Sequence, residues 1–156
     1  MAVTGYWYPK SISIAFGTGS QTIDWVADSA SMKCALMATN FTGTNQSQTA
    51  ADYWNDVSSY EIASFTNYTA GGKTIGTTSL TTTAGSGKTI TFAGGTSTVW
   101  TAATLTARGA VVYKALAAAS DSPVVFFLDF GADVPASAGD FTITWHTDGM
   151  ATITVA

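Results

Sequence analysis

Three acidic residues set around a tryptophan, Asp52, Asp56 and Glu61 about Trp54, are the first candidates for chemistry in this 156-residue chain. A carboxylate pair beside an aromatic ring is how a glycosidase site begins, one group protonating the leaving oxygen while the other attacks or activates water. Asp52 and Asp56 are four apart and would share a face if the chain is helical from Thr49 to Val57. Acid catalysis also needs a raised pKa on one partner, which spacing cannot supply. Carboxylates on a helix surface are usually solvated or act as caps, so the reading is that the chain is not an enzyme. The remaining candidates are thinner. Gly71-Gly72-Lys73-Thr74 and Gly87-Lys88-Thr89 look like the end of a phosphate-binding loop, but the upstream Gly that loop requires is replaced by Asn67 and Thr82. Both read as turns leading into strands. His146 continues the outward series of Thr142 and Thr144 with no Ser or Cys nearby to activate, and reads as a surface or subunit-contact residue. Cys34 reads as a buried thiol acting as a small hydrophobe. One Cys and one His cannot make an internal disulfide or a zinc site of three or four N/S ligands, so neither metal nor cofactor is expected.

The elements that would carry these residues follow from composition and pattern. Charged residues make up only 10% of the chain, far below the roughly 25% usual for soluble domains. Its 27 Thr, with Ser and 15 Gly, form a short, β-branched polar coat that favours strands. Six basic residues, scattered singly, form no stripe against a phosphate backbone, so nucleic acid is not an expected partner. No run approaches the roughly 18 apolar residues of a membrane span, and residues 1–5 lack the charged and apolar regions of a secretory leader. A soluble chain with no membrane partner is expected. The sequons at Asn40, Asn45 and Asn67 then read as chance matches in a Thr-rich chain.

One domain over residues 1–156 is expected, with an N-terminal arm over 1–12 and no fixed-period repeat. Alternation predicts strands over 11–16 and 31–39, the second turning Met32, Cys34 and Leu36 to one face. Gly-punctuated, Thr-rich sequence over 71–95 predicts a meander of exposed strands. The unbroken apolar runs over 110–113 and 124–130 predict strands covered on both faces. At the C-terminus, 141–145 and 151–155 both alternate around Thr147-Asp148-Gly149. A three-residue hairpin loop would match their apolar faces by pairing Ile143 with Ile153, whereas a two-residue loop would set Ile143 against Thr154. The economical architecture is all-β: a β-sandwich, with a jelly roll as one form of it, and at most one short helix over 49–57. Tyr6-Trp7-Tyr8-Pro9 is the most informative local feature, since three consecutive aromatics cannot all point into one strand's core. These four are the candidate interface residues, with packing onto their own domain and stacking on a sugar as the alternatives.

An ordered series of stretches resembles small virion structural proteins of tailed bacteriophages. It comprises Ile23-Asp24-Trp25 with the strand over 33–37, Asp52-Tyr53-Trp54-Asn55-Asp56-Val57 with Glu61, and Tyr68-Thr69-Ala70-Gly71-Gly72. The series continues through Ala107-Arg108-Gly109-Ala110-Val111-Val112-Tyr113-Lys114, Phe127-Leu128-Asp129-Phe130-Gly131 and the 141–155 ending. Together these span about residues 21–156, and the Tyr6–Lys10 segment departs from the group. The resemblance implies a capsid decoration, or cement, protein on the outer surface of the virion head. Its partner would be the major capsid protein, and it would form a homo-oligomer, trimer or dimer, at a symmetry axis. The alternative role is a tail or fibre-associated module contacting the host surface, with Trp54, Trp100 or Tyr8 as sugar platforms.

Overall fold

The two apolar runs lie side by side at the centre of the larger of two antiparallel sheets. This is a computed structural model, and it describes residues 4–15, 17, 21–42, 51–65, 67–83, 88–95, 97–146 and 148–155. β1 (Thr4–Trp7), β2 (Met32–Met37), β3 (Lys73–Thr74), β6 (Ser97–Lys114) and β7 (Val124–Thr144) form the large sheet in the order β1-β7-β6-β2-β3. β4 (Ser79–Thr83), β5 (Lys88–Ala93) and β8 (Ala151–Val155) form the small one in the order β4-β5-β8. The all-β, sandwich-like fold expected from composition is therefore present.

Both faces of the large sheet are covered, as the unbroken runs require. On one face Cys34, Leu36, Ala110, Val112, Phe126 and Leu128 pack with Trp25 and Ile75 and, from the small sheet, Phe92. On the other, Ala35, Met37, Val111, Tyr113 and Phe127 pack with Tyr8, Phe41, Trp54 and Val57. Strict alternation breaks once in the centre. Val112 pairs with Phe126 but Tyr113 pairs with Val124, leaving Val125 as an extra residue on β7. That bulge turns Val125 and Phe126 into the same core.

Several sequence expectations are corrected. The segment expected as a strand over 11–16 is instead helix α1 (Pro9–Ala15). Pro9 stands at its first position, where a missing N–H costs nothing and the fixed φ suits a helix. Ser11, fully buried, donates from its hydroxyl to the carbonyls of Tyr8 (2.6 Å) and Val125 (3.2 Å), which ties the helix to β7. Within the expected N-terminal arm, residues 4–12 pack onto the domain: β1 pairs with β7, Tyr6 opposite Phe127, and α1 packs beside it. With α2 (Trp54–Val57) there are two short α-helices among the described residues, one more than expected.

Helix α2 starts five residues later than Thr49. The Asp56 carboxylate accepts the backbone N–H groups of Asp52 and Tyr53, both at 2.9 Å, and so fixes the start. The C-terminal hairpin does not form in either register. Phe141 and Ile143 pair with Trp100 and Thr98 on β6, while Ile153 pairs with Ile90 on β5, so the chain changes sheets between the two segments. Alternation specifies which face a strand buries but not which strand lies beside it: Ser97–Trp100 does not alternate in polarity, yet it buries Trp100 opposite Phe141 and Thr98 opposite Ile143, the Thr98 hydroxyl accepting the Trp145 indole N–H at 3.1 Å. Phe16, Asn45, Thr49, Gly87 and Thr147 lie outside the described residues.

Lys114 closes the end of β6 against the turn over 24–31. Its ammonium, nearly buried, lies 2.8 Å from the Asp28 carboxylate and donates to the Thr22 carbonyl at 2.6 Å. Asp28→Ala would leave that buried ammonium without its carboxylate. The expected cost is about 3 kcal/mol, the lower end for breaking a buried pair because Asp28 retains some solvent. Urea unfolding checks it, and a change below about 1 kcal/mol, the worth of a surface pair, would show that the pair is not holding the turn.

Candidate functional site

Phe92 is held edge-on between Trp7 (ring centroids 4.9 Å apart) and Trp25 (5.6 Å), and the Trp25 indole N–H donates to the Ala93 carbonyl at 2.9 Å. These rings seal the small sheet onto the large one. Cover is incomplete beyond them. The cross-strand pairs set Leu80 opposite Phe92, and Ile90 between Thr82 and Ile153, all on the sheet face turned toward the core. Yet Leu80 is 42% exposed and Ile90 36%, and Ile12 on α1 is 38% exposed. The three line an apolar groove of roughly 270 Å³ between α1 and the small sheet, floored by Trp7, Trp25 and Phe92. Large apolar side chains gathered in one exposed groove mark an interaction site more strongly than scattered ones do.

The aromatic segment divides between interior and surface. Tyr8 is wholly buried beside Phe127, and Trp7 packs on Phe92 and Phe126, so both rings serve the chain's own core. Tyr6 stacks on Phe127 at 4.8 Å and stays 40% exposed, and Pro9 is exposed at the head of α1. Of the four interface candidates, Tyr6 and Pro9 are the ones at the surface. The rings proposed as sugar platforms are not available as such. Tyr8 and Trp100 are fully buried, and Trp54 lies flat on Tyr113 at 4.2 Å and 7% exposed. Sequence reasoning missed the groove because the alternation of 11–16 assigned Ile12 to a strand.

The acidic trio is split among separate tasks. Asp56 caps α2, and exposed Asp52 lies 4.0 Å from the Lys10 ammonium. Glu61 is half-buried, accepting the Tyr68 hydroxyl at 2.8 Å and the Gly71 N–H at 2.6 Å, and it thereby holds the turn over 68–72 against β2. Gly72 completes that turn at φ 64°, where a Cβ would overlap the Cys34 carbonyl, so only Gly fits. The Gly71-Gly72-Lys73-Thr74 motif is thus a turn into β3. Burial pushes the Cys34 thiol and the Tyr8, Tyr68 and Tyr113 hydroxyls upward. His146 is exposed, its Nδ1 accepting the Asp148 N–H at 3.1 Å. Among the described residues no three His, Cys, Asp or Glu side chains are placed to hold a metal ion, and no helix is long and apolar enough to cross a membrane. No protein-family model, curated protein or solved structure matches the chain.

Burial raises the Glu61 carboxyl above its ordinary 4.5, outweighing the hydroxyl and N–H donors and the nearby Lys33, which favour the charged form. A carboxyl raised in the folded state contributes stability that is complete below the unfolded value and lost as pH rises through the folded one. Glu61→Gln keeps an acceptor for Tyr68 and removes this dependence. Relative to Glu61→Gln, the parent protein is expected to be more stable at about pH 4 than at about pH 7. Urea midpoints at both values read the difference, and an opposite sign would mean that the hydrogen bonds outweigh burial.

Proposed function

We propose that the protein is a bacteriophage capsid decoration protein, bound to the outer surface of the assembled head through its apolar groove. The ordered series of stretches over about 21–156 that resembles phage virion proteins carries this reading. The fold supports it with a well-filled sandwich, an exposed apolar groove and an outer coat of Thr, Ser and Gly with few charges. A protein that binds the assembled lattice and not free capsid subunits stabilises the shell by mass action. Rigid seating matters in that role, because a preformed contact face loses little conformational freedom when it docks. Burial of Tyr8, Trp54 and Trp100 removes the rings on which the tail-module alternative relied for host glycans.

Immunogold electron microscopy of intact particles of the encoding phage tests the location. Label over the head is expected, and label confined to the tail would overturn the proposal. Ile12→Asp then tests the groove, because it puts a charge at the mouth without removing a core side chain. This variant is expected to keep its fold by circular dichroism and to lose capsid co-sedimentation by about a hundredfold in affinity, the effect of removing a central interface anchor. Unchanged co-sedimentation would exclude the groove as the contact face.

A further inference from the structure

The two sheets have four edges, and three of them are guarded. Strand β1 ends one side of the large sheet and β8 one side of the small sheet, and Gly5, Tyr6 and Trp7 line the same cleft as Ala151 and Thr152, so these two edges face each other across it. β3, at the far side of the large sheet, is only two residues long and carries Lys73, whose ammonium donates to the Val99 carbonyl at 2.8 Å. Short length and lysine are among the usual protections of an exposed edge. β4 has none of them. Its five residues, Ser79-Leu80-Thr81-Thr82-Thr83, are all exposed, contain no charge and no proline, and pair with β5 in an unbroken register. Among the described residues no strand lies along its outer side.

We propose that β4 pairs antiparallel with β4 of a second copy of this chain about a two-fold axis at Thr81, joining two small sheets into one of six strands. The sequence is self-complementary in this register. Thr81 meets Thr81, Leu80 meets Thr82, and Ser79 meets Thr83, so each residue faces one from the same side of the sheet. No charge opposes its own copy across the axis, which a two-fold contact would otherwise impose. Leu80, 42% exposed in the single chain, is brought beside the partner strand on the groove side. The arrangement closes on itself, because a two-fold contact uses the β4 edge of both copies and leaves neither free for a third. It stands independently of the capsid assignment, and Ile12, on α1, is not part of it.

Sedimentation equilibrium of the purified chain gives the direct test, with an expected mass of about twice 16.1 kDa. Thr81→Lys sets two ammonium groups across the axis and is expected to weaken the dimer on the order of tenfold or more. Thr81→Glu alone does the same, and an equimolar mixture of the two variants recovers the dimer as the mixed species. That recovery separates edge pairing from simple damage to the fold. A second readout needs no variant: β4 amides should gain exchange protection as the parent protein is concentrated, while those of β8 do not change. A monomer at all concentrations, a trimer, or a dimer indifferent to Thr81→Lys would each overturn the proposal.

Discussion

The pairing of β6 with β7 is the interaction on which the rest of the molecule depends. Strand β2 is added along β6 and β1 along β7, with β3 beyond β2, and both core clusters are built on the ribbon's two faces. A strand covered on both faces can spare almost no polar side chain, which is why 110–113 and 124–128 are unbroken apolar runs. The bulge at Val125 is one of four register shifts along the β6–β7 pairing, and it places two consecutive side chains against the small sheet. Arrival of the small sheet, α1 and α2 on this ribbon then determines which apolar residues are covered and which remain in the groove.

What was legible in the sequence was local and face-specific. The inward face of β2, with Cys34 buried, followed from alternation, and the double cover of the central strands followed from its absence. Partner choice was not legible. Residues 141–145 and 151–155 match each other's apolar faces well, but β6 offers 141–144 a partner contiguous with the central ribbon, with Trp100 buried opposite Phe141 and Thr98 opposite Ile143. The helical state of 9–15 is a tertiary effect. Seven residues are too few to hold a helix alone, and the buried Ser11 hydroxyl on the Val125 carbonyl exists only once β7 is in place.

The same division runs through the candidate site. Three consecutive aromatics could not all enter one core, and they divide accordingly: Trp7 packs on Phe92 and Phe126, while Tyr6 and Tyr8 both pack on Phe127. Sequence could not distinguish which of these rings the chain itself would bury. The groove combines Ile12 from α1 with Leu80 and Ile90 from a sheet far along the chain, so no local spacing announces it. The acidic trio shows the converse: residues close in sequence are assigned to a cap, a surface ion pair and a turn anchor.

Native-state hydrogen exchange tests the central place of the β6–β7 ribbon most directly. Amides buried in 110–113 and 124–128 are expected to exchange only through global unfolding, with one common free energy that tracks overall stability in denaturant. Those of β4 and β5 should open at lower cost, since the small sheet rests on the large one chiefly through the rings around Phe92. Slowest exchange in the small sheet, with the ribbon opening first, would contradict this account of how the fold is held.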